Sequence, residues 1–134
     1  MGLEPLSTLE ATPRRTSALS YYTVSNHAYF VGTVALLNSL RLTGNDGDLV
    51  VLDAGLTANE RTTLARHATV VEMPEDRDHP WLLKPFPHLF GASGLTVMID
   101  SDIIVTGSLA GLAALAEQGK ICVYPAWTPE ALST

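Results

Sequence analysis

The 134-residue sequence predicts an α/β domain built on a mostly parallel sheet. Three observations predict it. Short β-branched and aromatic runs alternate with helix-forming segments along the chain, the pattern of βαβ units. The run Leu49-Val50-Val51-Leu52 is continuously apolar between Asp48 and Asp53, as in a parallel strand covered on both faces. Hydrophobic residues make up 46% of the chain and charged residues 16%, a balance that excludes intrinsic disorder and suits one domain with a real core.

Residues 1–19 carry Pro5, Pro13 and Arg14-Arg15 among Ser and Thr without an apolar period, and read as a flexible N-terminal arm. Tyr21-Tyr22-Thr23-Val24 reads as the first strand. Ser25-Asn26 supplies a turn and an N-cap. Tyr29 to Leu42 is apolar nearly all round, which predicts a helix buried against the sheet. Gly44-Asn45-Asp46-Gly47 stops it, and Asp48 to Asp53 forms the second strand. Thr57 with Glu60 matches a capping box and opens a helix to about His67. Thr69 to Met73 is the third strand, closed by Pro74.

Residues 75–94, with Pro80, Pro85 and Pro87, then break the alternation. An irregular insertion of that length is more often functional than idle. A short helix is expected near Pro87–Gly91. Leu95 to Ile99 is the most apolar strand and runs into Asp100-Ser101-Asp102. Ser108 to Gln118 reads as an Ala/Leu-rich helix closed by Gly119. Lys120 to Tyr124 reads as a last strand, and residues 126–134 as a tail. The domain proper thus spans residues 20–125, with helices expected on both faces of the sheet.

Eight Lys+Arg stand against 14 Asp+Glu, a net charge of −6. Duplex nucleic acid and anionic membranes both select basic stripes, so neither is an expected partner. No apolar run reaches the ~18 residues of a membrane span. Cys122 is the single cysteine, which excludes an internal disulfide framework and a cysteine-based zinc site. Inside an apolar strand it is expected as a buried small hydrophobe. A reduced, cytoplasmic setting is the simplest expectation. His27, His67, His79 and His88 lack metal-ligand spacing and read as surface or loop residues.

Chemistry is to be sought where strands of such a sheet end. Asp100 and Asp102 stand one residue apart at the end of an apolar strand, and in extended chain such positions face the same way. Two carboxylates that close repel unless a cation sits between them. Hard oxygen donors suit Mg²⁺ or Mn²⁺, which keep room for substrate phosphates. The bland alternative is a pair of solvated acids; placement after the apolar strand favours the metal. No G-x-S-x-G, Walker loop or G-x-G-x-x-G is present.

Val24-Ser25-Asn26-His27-Ala28-Tyr29, with Gly32, Leu36 and Ser39-Leu40, resembles the opening of the glycosyltransferase family 8 (glycogenin-like) domain. Lys84 falls where that family carries a lysine ahead of its metal motif. Ile99-Asp100-Ser101-Asp102 with Ile104-Val105 and Leu109 is similar to its strand and D-x-D. The matches span residues 21–124. The resemblance implies a Rossmann-like GT-A three-layer sandwich and a retaining transferase using a nucleotide-diphospho-sugar, with uridine as the expected nucleoside. It implies that Val24, Ser25 and Asn26 line the base pocket, that Tyr29 stacks on or flanks the base, and that Lys84 reaches toward the sugar-nucleotide. Asp100 would contact ribose or metal, Asp102 would be the main ligand of Mn²⁺ or Mg²⁺, and Ser101 lies between them in the same donor site. It identifies no catalytic residue and no glycosyl acceptor.

The family's domain is considerably longer, and its second half supplies a third metal ligand, often histidine, and the acceptor pocket. No histidine follows Asp102 here. The expectation is therefore a donor-binding half, apparently truncated, that a partner chain or a missing C-terminal half would complete. Two other classes fit parts of the pattern. A haloacid-dehalogenase-like phosphatase or phosphotransferase also places D-x-D after an apolar strand, but wants Gly-Thr next, where Ile103-Ile104 stand. A non-catalytic flavodoxin-like binding domain fits the alternation, but wants an acidic pair where strand one ends in Ser25-Asn26.

Overall fold

Four parallel strands form one sheet in the order β3-β2-β1-β4. They are β1 (Ser20–Ser25), β2 (Leu49–Asp53), β3 (Thr69–Glu72) and β4 (Thr96–Met98). The computed structural model describes residues 19–73, 79–91 and 94–122. The helices are α1 (Phe30–Leu42), α2 (Ala58–Ala65) and α3 (Ala110–Glu117), and single 3₁₀ turns lie at His27–Tyr29, Pro80–Leu83 and Pro87–Phe90. The expected arm at 1–19, save Leu19, and the tail at 126–134 lie outside the described residues.

β1 and β2 are central and buried almost throughout; β2 accordingly reads as an unbroken apolar run, while β1 carries the buried Thr23 among its apolar residues. Their side chains alternate between two cores. On one face Tyr21, Leu49 and Val51 meet Leu36, Leu37 and Leu40 of α1 and Leu64 of α2. On the other, Tyr22, Val50 and Leu52 meet Met73, Leu83 and Phe90. Each such side chain stabilises the fold by about 1.5–3 kcal/mol when fully buried. The second cover is therefore not a helix, as the alternation predicts, but the two 3₁₀ turns of the insertion. The proline-rich segment 80–90 forms a third layer.

Local chemistry sets several boundaries. The Asn26 side chain accepts the Tyr29 N–H at 3.3 Å and caps the first 3₁₀ turn. The capping box forms: Thr57 Oγ1 accepts from the Glu60 N–H, and Glu60 accepts from the Thr57 N–H at 2.8 Å. The short helix expected near Pro87–Gly91 is a 3₁₀ turn ended by Gly91 at φ 93°.

Four expectations need correction. α1 buries one face only, with Val31 and Leu42 exposed, because the sheet covers a single side. β4 is three residues long rather than five, with Met98 partly exposed, although the Ile99 N–H still donates to the Tyr22 carbonyl at 2.9 Å. α3 starts at Ala110, not Ser108, and buries none of its residues. Lys120, Ile121 and Cys122 form no strand, and Cys122 is exposed rather than buried. An apolar run becomes a strand only where a neighbour pairs with it, and none does so here among the described residues. Val123 and Tyr124 of that expected strand lie outside the described residues.

Candidate functional site

The sheet order reverses direction between β1 and β4. The chain steps outward from β1 to β2 to β3, then crosses back to β4 on the far side of β1. In open α/β sheets the crevice at such a point, beyond the carboxyl ends of the strands, is where ligands bind. A cavity of about 300 Å³ lies there, within the size range of small-molecule sites.

Every site residue singled out from the sequence lines this one cavity. Val24, Ser25 and Asn26 come from the end of β1, and Tyr29 from the turn before α1. Asp100, Ser101 and Asp102 come from the turn after β4, and Lys84 from the segment between the two later 3₁₀ turns. Ala54, just past β2, completes the lining and was not anticipated. The register of β1 on β2, which sets Ser25 opposite Asp53, brings it there.

The floor is buried and the rim exposed. Ser25 and Ser101 are nearly inaccessible, whereas Tyr29 is 51% exposed and Asp102 is exposed. Thr33 Oγ1 donates to Ser25 Oγ at 2.6 Å and ties the end of β1 to α1. Lys84 Nζ donates to Asp100 Oδ1 across the cavity. Both side chains are part-exposed, so the pair contributes little to stability. Its significance is positional: it sets a cation against a carboxylate at the cavity.

The D-x-D turn is held against α1 by two contacts. A Cβ on Gly32 would lie 2.4 Å from the Ser101 carbonyl oxygen, so only glycine admits the turn this close. The Ser39 hydroxyl accepts the Val105 N–H at 2.9 Å and donates to the Leu36 carbonyl at 2.8 Å. Further along, the Asn45 side chain donates to the Gly107 carbonyl and accepts from the Leu109 N–H. Gly32 and Ser39 belong to the pattern noted in the sequence, and the contacts give them a physical reason here.

Asp53 borders the site without lining it. Burial would raise its pKa, but the Leu56 and Gly55 amides and the Arg61 guanidinium outweigh burial and hold the carboxyl below its ordinary value. Arg61 also reaches Glu72 at 3.1 Å, tying β2 to β3. The histidines keep to the periphery: His27 is exposed and bonded to Glu60 at 2.7 Å, and none of the four lines the cavity.

Among the described residues no group of three His, Cys, Asp or Glu side chains comes together. The protein's carboxylates at the cavity are Asp100 and Asp102. Two hard oxygen donors fit Mg²⁺ or Mn²⁺ when substrate phosphates complete the shell. No described helix is long and apolar enough to cross a membrane.

No protein-family model matches this chain, and no curated protein does. Solved structures do. The chain is similar to the crystal structure of TarS residues 1–349 from S. aureus, with a TM-score of 0.58 and 19% identity over 75% of this chain. It is similar to S. aureus TarS in a second crystal structure, with a TM-score of 0.53 and 20% identity over 75% of this chain. It spans 32% of the first and 19% of the second. TarS is a GT-A glycosyltransferase, and the shared α/β fold with its parallel sheet matches the N-terminal part of that enzyme.

Proposed function

We propose that this chain is the donor-binding portion of a metal-dependent glycosyltransferase of the family 8 type, taking a uridine-diphospho-sugar. The observation that carries the reading is the convergence of Val24, Ser25, Asn26 and Tyr29 with Lys84, Asp100, Ser101 and Asp102 on one cavity. Val24, Ser25 and Asn26 come from one strand end with Tyr29 in the turn that follows, and the last three come from another, at the point where the sheet order reverses. The GT-A fold likeness supports the glycosyltransferase part of the reading independently.

The residues divide the work along the donor. Tyr29 offers a half-exposed ring for base stacking, which is worth about 1–3 kcal/mol per base. Ser25 and Asn26 offer polar groups at the base and ribose. Lys84 supplies positive charge at the diphosphate. Asp100 and Asp102 would hold Mn²⁺ or Mg²⁺, which neutralises the charge that develops on the leaving diphosphate without proton transfer. Preorganised charge of this kind is usually the largest single catalytic contribution. An acidic chain thereby accommodates an anionic donor. When the donor arrives, Lys84 exchanges Asp100 for a phosphate oxygen and leaves that carboxylate free. The glycosyl acceptor, and the partner chain or further segment that would present it, belong to the same proposal, as does a cytoplasmic setting.

The test is thermal unfolding of the chain with UDP, with Mn²⁺, and with both. A ligand at 100 times its Kd stabilises by about 2.7 kcal/mol, several degrees for a domain of this size. A shift that needs both together is expected. A cooperatively unfolding chain that shows no shift with any of the three overturns the reading.

A further inference from the structure

We propose that Tyr22 is the positioning residue for Lys84, and through it for the charge that meets the donor's diphosphate. The inference rests on the donor-site reading above. Tyr22 lies on the central strand β1, with no exposed surface, and lines no part of the cavity. Its ring stacks on Phe90, centroids 6.3 Å apart and planes 4° from parallel. Its hydroxyl donates to the Leu83 carbonyl at 3.1 Å. Leu83 ends one 3₁₀ turn and Phe90 ends the next, and Lys84 lies between them. One side chain therefore grips both turns that bracket the lysine.

The Tyr22 main chain holds the other partner. Its carbonyl accepts the N–H of Ile99, the residue before Asp100. Lys84 and Asp100, which pair in the cavity, are thus each anchored through their preceding neighbour to Tyr22. A lysine has a long flexible stem, so the firmness of its root decides where the ammonium group dwells. The stacking alone asks only for phenylalanine; the hydroxyl is what fixes Leu83. A phenol is a donor at neutral pH, and burial pushes the pKa of this one further up, to about 12.

The experiment compares UDP with uridine, which lacks the diphosphate, by NMR titration with Mg²⁺ present throughout. Tyr22→Phe keeps the ring and removes one hydrogen bond. It is expected to weaken UDP measurably, by up to about tenfold, the ceiling set by the worth of one such bond, and to leave uridine unchanged. Lys84→Ala should weaken UDP selectively too, and Tyr22→Phe added to it should cost nothing more. A merely structural tyrosine would lower the unfolding temperature and leave the ratio of the two affinities where it was. That result, or an additive double mutant, overturns the inference. Unchanged UDP binding in Lys84→Ala instead overturns the donor-site role of the lysine. Should Tyr22→Phe not fold, Phe90→Leu tests the same anchor from its other end, with the same selective loss of UDP expected and an unchanged ratio refuting it.

Discussion

Gly32→Ala sets two physical effects against each other, and the structure decides between them. Alanine is the better helix former by about 1 kcal/mol, so propensity alone makes the variant more stable. Gly32 lies in α1, and the new methyl would lie 2.4 Å from the Ser101 carbonyl oxygen and 3.3 Å from its carbon. Those atoms are backbone, held by β4 on one side and by the Ser39–Val105 bond on the other. Relief requires the D-x-D turn to move by about 1 Å, and overpacking of that kind costs about 1–3 kcal/mol. The balance is a destabilisation of up to about 2 kcal/mol, since propensity offsets part of the clash. Gly111→Ala in α3 is the control, because nothing lies within 4 Å of the position its Cβ would take. It should gain up to about 1 kcal/mol. Urea unfolding of both variants isolates the clash as their difference, about 1–3 kcal/mol. Equal stability of the two would refute close packing of the turn on α1. Because the same displacement moves Asp100 and Asp102, Gly32→Ala should also lose binding of UDP with Mn²⁺ where Gly111→Ala does not.

Three further outcomes follow from the site and its borders. Asp102→Ala should leave the fold intact, since the side chain is exposed, and should abolish the Mn²⁺-dependent part of UDP binding; unchanged UDP affinity with Mn²⁺ present would remove Asp102 from the metal site. Tyr29→Ala should weaken UDP by about 1–3 kcal/mol with Mn²⁺ present, and calorimetry showing equal losses for uridine and guanosine nucleotides would argue against a base-specific pocket. Asp53 has a folded pKa below its unfolded value, so its contribution is fully present above the unfolded pKa and is lost as pH falls through the folded one. Stability measured in urea should therefore fall on acidification below about pH 4, and Asp53→Asn should flatten that limb; an unchanged acid limb would show that the Arg61 and amide contacts do not govern it.

Much of the site was legible before any fold was known. The Asp100–Asp102 pair was readable from where an apolar run stops, whereas Val24 to Asn26 and Tyr29 entered as site residues through the family resemblance. Lys84 carried no local signal at all. A lone lysine among prolines is ordinary, and it entered only through the family resemblance. Ala54 escaped because its place depends on which strand lies beside β1, and nothing local specifies a neighbour. Cys122 was misplaced for the same reason: its run is apolar, yet burial depends on pairing with a strand, which the described residues do not supply.

What the sequence determined by itself was most of the elements and their punctuation. Backbone propensity, the Thr57–Glu60 capping box, the Asn26 cap and the Gly44-Asn45-Asp46-Gly47 stop act within a few residues, so they are written locally. Tertiary structure alone decided the order β3-β2-β1-β4, the closeness of Gly32 to Ser101, and the covering of one sheet face by 3₁₀ turns. It alone joined Lys84 to Asp100 and gave Tyr22 the Leu83 carbonyl. These contacts join residues 16 to 69 positions apart. They form only once buried apolar area, summed over whole faces of a sheet, selects one packing of the elements.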